Sequence, residues 1–268
     1  MDRRSFLAAG VGVAAASAVG TAAGWAAVRP VERSAPEPGE AMSATTTAIM
    51  EGTDRETTVY ELDSGTEGPT VMVVGGMHGN EVSGYRAAEE IAGWTIDRGT
   101  LVVVPWANVL AIDDHQRSGP EGDLNRKFPT GQEPTTDLAR ALWETVTEHD
   151  PDVVFDLHRS RGILGTHAEW VGQAVFPTAQ AEEHARAVIE AVNDEVVPTT
   201  MPYHEFAVSG PLSGGAPLLM HKVAGELQRP GYIIETTGVL VSLGTQIDWT
   251  LEIVERLLER HGVERVES

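Results

Sequence analysis

Past a short apolar run, Gly75, Gly76, Met77, His78, Gly79, Asn80 and Glu81 put an imidazole three residues ahead of a carboxylate. That spacing lets both side chains reach one divalent cation, and the glycines permit the tight turn that brings them together. The pattern is common by chance: His261 and Glu264 repeat it behind the last helical pattern, in a polar tail that reads as a solvated helix end. Setting separates the two pairs, since a buried strand followed by a glycine-rich turn is where a binding loop belongs. Val153 to Leu157 likewise runs straight into His158, with Asp156 two residues earlier on the same strand face. Alone, His158 reads as a core histidine bonded to a backbone carbonyl. Joined to His78 and Glu81, it completes a three-ligand site of the catalytic type, with a fourth vertex open to water and Asp156 behind the imidazole.

Glu235 ends the last apolar run, within Tyr232, Ile233, Ile234, Glu235, Thr236, Thr237 and Gly238. A carboxylate at the exit of a buried strand costs free energy unless it is paired or opens on a cleft, and beside a metal-activated water its natural role is general base. A fourth stretch, Gly122, Asp123, Leu124, Asn125, Arg126, Lys127, Phe128 and Pro129, lies in a polar loop, with Arg117 eight positions ahead of Asn125. A guanidinium and the Asn125 amide can hold the carboxylate end of a substrate; the competing reading is a surface loop whose arginines offset nearby acids.

Composition narrows the chemistry. The chain has 268 residues, no cysteine, and 40 Asp and Glu against 19 Lys and Arg, a formal charge of -21. Without thiols there is no disulfide framework, no thiol nucleophile and no thiolate metal site, so bound zinc needs imidazole and carboxylate ligands. The negative charge makes nucleic acid a poor partner. Lys127 and Lys222 are the only lysines. An acidic, lysine-poor surface of this kind resembles those of proteins adapted to high salt, where self-repulsion is screened; general solubility is the alternative.

These residues need elements to hold them. Val71 to Val74, Leu101 to Val104, Val153 to Leu157 and Tyr232 to Ile234 are continuous apolar runs, as expected of strands covered on both faces. Helical patterns run between and after them: Val82, Tyr85, Ala88, Ile91; Leu138, Leu142, Val146; Ala181, Ala185, Val188, Val192; and Ile247, Leu251, Val254, Leu258, ending at Gly262. The alternation predicts a single α/β domain with a mixed, mostly parallel sheet flanked by helices on both faces, and ligands at the carboxyl ends of its strands. Asp2, Arg3, Arg4, Ser5, Phe6 and Leu7, followed by an uncharged run to Val28, resemble a twin-arginine export signal, so export to the cell surface or beyond is expected. Residues 29–48, rich in Pro, Ala, Ser and Thr, read as a linker, and 49–268 as the catalytic domain.

Taken in order, the His78 to Glu81 turn, the Asp123 to Phe128 loop, His158 after Asp156 and Leu157, and Glu235 resemble the succinylglutamate desuccinylase/aspartoacylase family, whose fold is that of the zinc carboxypeptidases. The resemblance implies one zinc ion held by His78, Glu81 and His158, Glu235 as general base, Arg117 polarising the scissile carbonyl, and Asn125 with Arg126 holding a substrate carboxylate. It implies a zinc-dependent hydrolase that cleaves the amide bond of N-acyl amino acids or similar small carboxylates. A metallocarboxypeptidase acting on peptide C-termini would use the same groups, and a non-catalytic binding protein for acidic metabolites would keep the same fold.

Some features depart from the family pattern. Arg117 stands one residue farther ahead of Asn125 than that pattern has it. Arg159 and Arg161 add cations after His158, which suit an anionic substrate or pair with the acidic surface. The stretch after Glu235 reads largely as one helix, leaving no room for the C-terminal β-domain that covers the pocket in aspartoacylases, so a more open site is expected. Tyr203 and His204 are candidate substrate contacts with no motif to anchor them.

Overall fold

The computed structural model describes Arg33, residues 42–168 and residues 170–266. The export leader at 1–28 and most of the linker at 29–48 lie outside the described residues. Among the described residues the elements run β1 (Ser43–Ile49), β2 (Thr57–Asp63), β3 (Thr70–Gly75), α1 (Val82–Ile91), β4 (Thr95–Ile96), β5 (Thr100–Val104), α2 (Val109–Asp113), α3 (Asp137–His149) and β6 (Val153–Ser160). They continue with β7 (Ala174–Pro177), α4 (Glu182–Glu195), β8 (Ala207–Val208), α5 (Leu219–Lys222), β9 (Gly231–Thr237), α6 (Leu243–Arg260) and β10 (Arg265–Val266).

Eight strands form one sheet in the order β1-β2-β5-β3-β6-β9-β7-β8. The four apolar runs of the sequence are β5, β3, β6 and β9, and they lie side by side and parallel at its centre. Antiparallel β1 and β2 extend the sheet beyond β5, and β7 runs antiparallel to β9 on the other side. β4 and β10 pair as a separate ribbon.

Side-chain alternation decides where the chemistry sits. Val71, Val73, Phe155, Leu157, Tyr232 and Ile234 pack with α1, α4 and α6 on one face. Met72, Val74, Val154 and Ile233 pack with α3 and α5 on the other, so helices cover both. With a period of two, Asp156 and His158 follow Val154 onto the α3/α5 face and Glu235 follows Ile233 there, while Arg159 falls on the α1/α6 face.

Three expectations need correction. β1 starts at Ser43, inside the stretch read as linker. All of its residues except Ile49 are exposed, so no apolar pattern marks it; backbone pairing to β2, from Ser43 opposite Asp63 to Ile49 opposite Thr57, holds it instead. In α6 the buried stripe is Trp249, Ile253, Val254, Leu257 and Leu258, whereas Ile247 and Leu251 are only partly buried. The helix packs against both α1 and α4, which turns its apolar face away from the predicted line. His261 is no solvated helix end: its Nε2 lies 2.7 Å from the Tyr232 hydroxyl, and its ring is 5.0 Å from that of His184. The chain folds back here onto the start of β9 before β10 pairs with β4.

Candidate metal centre

The turn after β3 carries His78, and Glu81 occupies the N-cap position of α1. At the starts of α2, α3 and α6, Asn108, Thr136 and Ser242 cap the helix with their side chains. Glu81 makes no such bond, because its carboxylate is turned to two imidazoles. Oε1 lies 2.9 Å from His78 Nδ1 and Oε2 lies 2.7 Å from His158 Nδ1, while the Arg159 backbone N–H donates to Oε2 at 3.1 Å. Close approach of α1 to β6 makes this possible. A Cβ on Gly84 would stand 2.3 Å from the Leu157 carbonyl oxygen, and one on Gly79 only 1.9 Å from that of Ala111, so neither position admits a side chain.

His78, Glu81 and His158 are buried, and one donor atom from each lies within 4.8 Å of the others. Each imidazole turns its Nε2 to a second carboxylate: His78 to Asp123 Oδ1 at 2.9 Å and His158 to Asp156 Oδ2 at 3.0 Å. A carboxylate on Nε2 favours the tautomer that leaves Nδ1 free to ligate. Although it is close to Glu81, His78 Nδ1 is out of line for a hydrogen bond and has no partner. A buried ring nitrogen without a partner, facing a second imidazole and a carboxylate, fits a divalent cation.

The electrostatics agree. Burial pushes the Glu81 carboxyl up, but His158 and His78 more than offset this and hold it well below the usual carboxylate range. Burial likewise raises Asp123, and it is outweighed by the hydrogen bond and charge of His78 together with Arg117 and Arg126. His158 is pulled down by burial yet raised well above its ordinary value by Asp156 and Glu81. Positive charge is therefore favoured between these carboxylates, and a metal ion can replace the proton that otherwise supplies it.

Glu235 stands opposite His158 in register on β9, with its Oε2 buried and without a hydrogen-bond partner. Burial, reinforced by the charge of Glu81, pushes its carboxyl up to about 7 against the pull of His158. A carboxyl poised near neutrality can both accept and return a proton.

The remaining expected residues divide. Arg117 reaches the site: Nη1 donates to Glu81 Oε1 at 2.8 Å and Nε to Asp123 Oδ2 at 3.2 Å, with 43% of the side chain still exposed. Arg126 is exposed, and its Nη1 donates to the Asn125 carbonyl at 2.7 Å. Asn125 turns inward and is only 3% exposed. Arg159 donates to Gln246 Oε1 at 2.9 Å, so an amide of α6 engages it rather than a surface acid. His204 is buried, with Nε2 on the Val239 carbonyl at 2.8 Å, which gives it a structural role, while Tyr203 is exposed. Asp123, which faces His78, has no role among the sequence-based expectations. Its place two residues ahead of Asn125, in a loop already singled out, was the available signal.

Comparison with known proteins bears on the family and the fold. The model of the succinylglutamate desuccinylase/aspartoacylase catalytic domain matches residues 67–260. Over 98 residues the chain is 33% identical to the N-alpha-acetyl-L-2,4-diaminobutyric acid deacetylase of Halomonas elongata, a stretch that covers 34% of this chain and 29% of that one. The match therefore spans less than a third of that relative's length. Among solved structures, tripeptide-bound Csd4 of Helicobacter pylori, a cell shape determinant, superposes with a TM-score of 0.63 at 18% identity, covering 85% of this chain and 57% of Csd4. A Shewanella amazonensis protein assigned as a metallopeptidase gives 0.64 at 14% identity, covering 81% of this chain and 87% of that one. At such identities the likeness is one of fold.

Proposed function

The chain belongs to the succinylglutamate desuccinylase/aspartoacylase family, and from that premise we propose that it is a zinc-dependent hydrolase cleaving the amide bond of N-acyl amino acids or similar small carboxylates. One arrangement carries the reading: His78, Glu81 and His158 turn donor atoms to a common point, and Glu235 lies in register beside them. These three residues would hold a single zinc ion, which supplies Lewis acidity toward a water and the scissile carbonyl. Glu235 takes a proton from the attacking water and returns it to the leaving amine, a task suited to a carboxyl pushed up to about 7. Arg117 keeps a solvent-facing side while bridging Glu81 and Asp123, so it can stabilise negative charge developing on the carbonyl oxygen. Arg126, exposed on the neighbouring loop, takes the substrate carboxylate. Residues 1–28 would direct export by the twin-arginine route; exchanging Arg3 and Arg4 for Lys should then retain the protein inside the cell, and unchanged export would exclude that route.

A metallocarboxypeptidase is the second reading, favoured by the fold likeness to Csd4, which is described as a D,L-carboxypeptidase. The deciding experiment assays N-acyl amino acids beside short peptides with free and amidated C-termini, on zinc-loaded protein. Faster turnover of peptides with free C-termini would replace the deacylase reading. Tight binding without hydrolysis would favour a binding protein, and absence of stoichiometric zinc would remove both enzymatic readings.

A further inference from the structure

Three surface loops, at residues 161–172, 201–206 and 237–242, are laced together beside Glu235 by the buried amide of Gln173. Gln173 directly precedes Ala174, which stands opposite Glu235 in register. Its Nε2 donates to the His204 carbonyl, and its Oε1 accepts from Thr237 N–H at 3.1 Å. Thr237 Oγ1 donates to the Gly162 carbonyl at 2.6 Å, and His204 Nε2 donates to the Val239 carbonyl at 2.8 Å. A buried hydrogen-bond network of this kind rigidifies what it joins.

These fixed loops carry apolar side chains into solvent. Among the described residues five large apolar side chains are exposed, and four of them, Trp170, Tyr203, Leu240 and Leu243, lie on these loops or at the start of α6 directly after. Tyr203 and Leu240 are the chain neighbours of His204 and Val239, the two ends of one hydrogen bond. The Trp170 ring lies against Gly162, where an added Cβ would stand 2.2 Å from it. Leu240 is 87% exposed and its backbone is left-handed, with φ +57°. That region crowds Cβ against the carbonyl oxygen and favours glycine, so a leucine here combines strain with exposed hydrocarbon. Apolar side chains gathered in this way mark contact with an apolar partner.

Charge and position select the occupant. A chain of formal charge -21 repels a second copy of itself and an anionic lipid surface, whereas a neutral hydrocarbon chain meets no such barrier. The loop of Arg126 packs through Leu124 and Phe128 on the α3/α5 face of the sheet, while Val241 and α6 lie on the other. A substrate with its carboxylate at Arg126 and its amide beside Glu235 would extend its acyl group toward the rim. We propose that Trp170, Tyr203 and Leu240 are specificity-determining residues that take the hydrocarbon of the acyl group, so that the substrates are N-acyl amino acids with medium-length aliphatic chains rather than acetyl groups. This rests on the deacylase reading above.

The test compares kcat/KM for the N-octanoyl and N-acetyl derivatives of one amino acid on the zinc-loaded full chain. One fully buried methylene is worth about fourfold. A rim covers the chain on one side only, so the octanoyl-to-acetyl ratio should be about tenfold or more. Leu240→Gly, which suits the left-handed backbone, and Tyr203→Ser should each cut that ratio about threefold or more. Val266→Ser, at the fifth exposed apolar residue, should leave the ratio at its wild-type value. Both substrates are measured on the same preparation, so a variant that folds in poor yield still reports its ratio. A wild-type ratio near one or below, or a ratio indifferent to both rim variants, would overturn the inference. A flat ratio with a concentration-dependent dimer that Leu240→Gly abolishes, read by analytical ultracentrifugation, would give the rim to a second copy instead. A wild-type protein that hydrolyses no N-acyl amino acid would fell the deacylase reading first, whereas turnover of both substrates at equal rates sinks this inference alone.

Discussion

His158 on β6 and Glu235 on β9 are register partners on adjacent parallel strands, yet they play opposite parts. Both ring nitrogens of His158 lie within 3.0 Å of carboxylate oxygens, whereas Glu235 Oε2 is buried with no partner. Neighbouring strands run about 4.8 Å apart, so Glu235 stands next to His158 beside the candidate metal centre. That placement suits the general-base role proposed for Glu235.

Glu235→Gln keeps the shape of the side chain and removes the base. Turnover should fall by about 10²–10⁴, the range typical of a general acid–base group, while zinc stoichiometry stays at the wild-type level. Steady-state kinetics with metal analysis on the same preparation checks both halves. Full activity would end the assignment of the base, and loss of zinc would make Glu235 a ligand.

Gly84→Ala probes how Glu81 is delivered. The added Cβ would meet the Leu157 carbonyl oxygen at 2.3 Å and its carbon at 2.8 Å, backbone atoms directly before His158 that cannot rotate aside. Displacing α1 should cost about 1–3 kcal/mol and weaken zinc binding with it. Gly215→Ala, where the new Cβ has nothing within 4 Å, serves as the control. Thermal unfolding and chelator competition read the two effects, and wild-type values for Gly84→Ala would mean that this close approach does not position Glu81.

The centre of the molecule was legible because its strands are buried on both faces, and continuous apolar runs such as Val71 to Val74 mark that burial directly. The edge was not: β1 exposes Ser43 through Ala48 and is held by backbone bonds that leave no trace in side-chain pattern. The convergence of His78, Glu81 and His158 could be expected from residue type and setting, and Asp156 from strand alternation. What stayed hidden depends on tertiary contact. Asn125 turns inward because Leu219, far along the chain, donates to it, and His261 is packed because the tail returns to Tyr232. No local spacing encodes either.

The excess of acids sets a salt dependence. With a formal charge of -21, the folded chain repels itself over distances that dilute buffer leaves unscreened. The screening length drops from about 10 Å at 0.1 M to about 3 Å at 1 M. The melting temperature should therefore rise by several degrees as KCl is taken from about 0.1 M to about 2 M, followed by calorimetry at constant pH. A flat or falling melting temperature would remove the proposal that this surface is adapted to salt.

His261 gives a pH dependence whose sign follows from its burial. Burial, with the nearby charge of His184, lowers its pKa to about 4, and Nε2 of the neutral ring is hydrogen-bonded to the Tyr232 hydroxyl at 2.7 Å. An unfolded chain takes up this proton near pH 6.5, while the folded one resists until about 4. Above roughly pH 6.5 neither state carries the proton and the interaction contributes fully; its contribution shrinks as pH falls toward about 4. Because the ring is only partly buried, the loss should be roughly 1–2 kcal/mol rather than the larger value the bare shift implies. Carboxylates also titrate in this range, so the informative quantity is the stability gap between wild type and His261→Gln. Measured by urea unfolding at fixed salt, that gap should narrow as pH is lowered from 7 to 4, and a gap constant across the range would show that His261 is not held neutral by the fold.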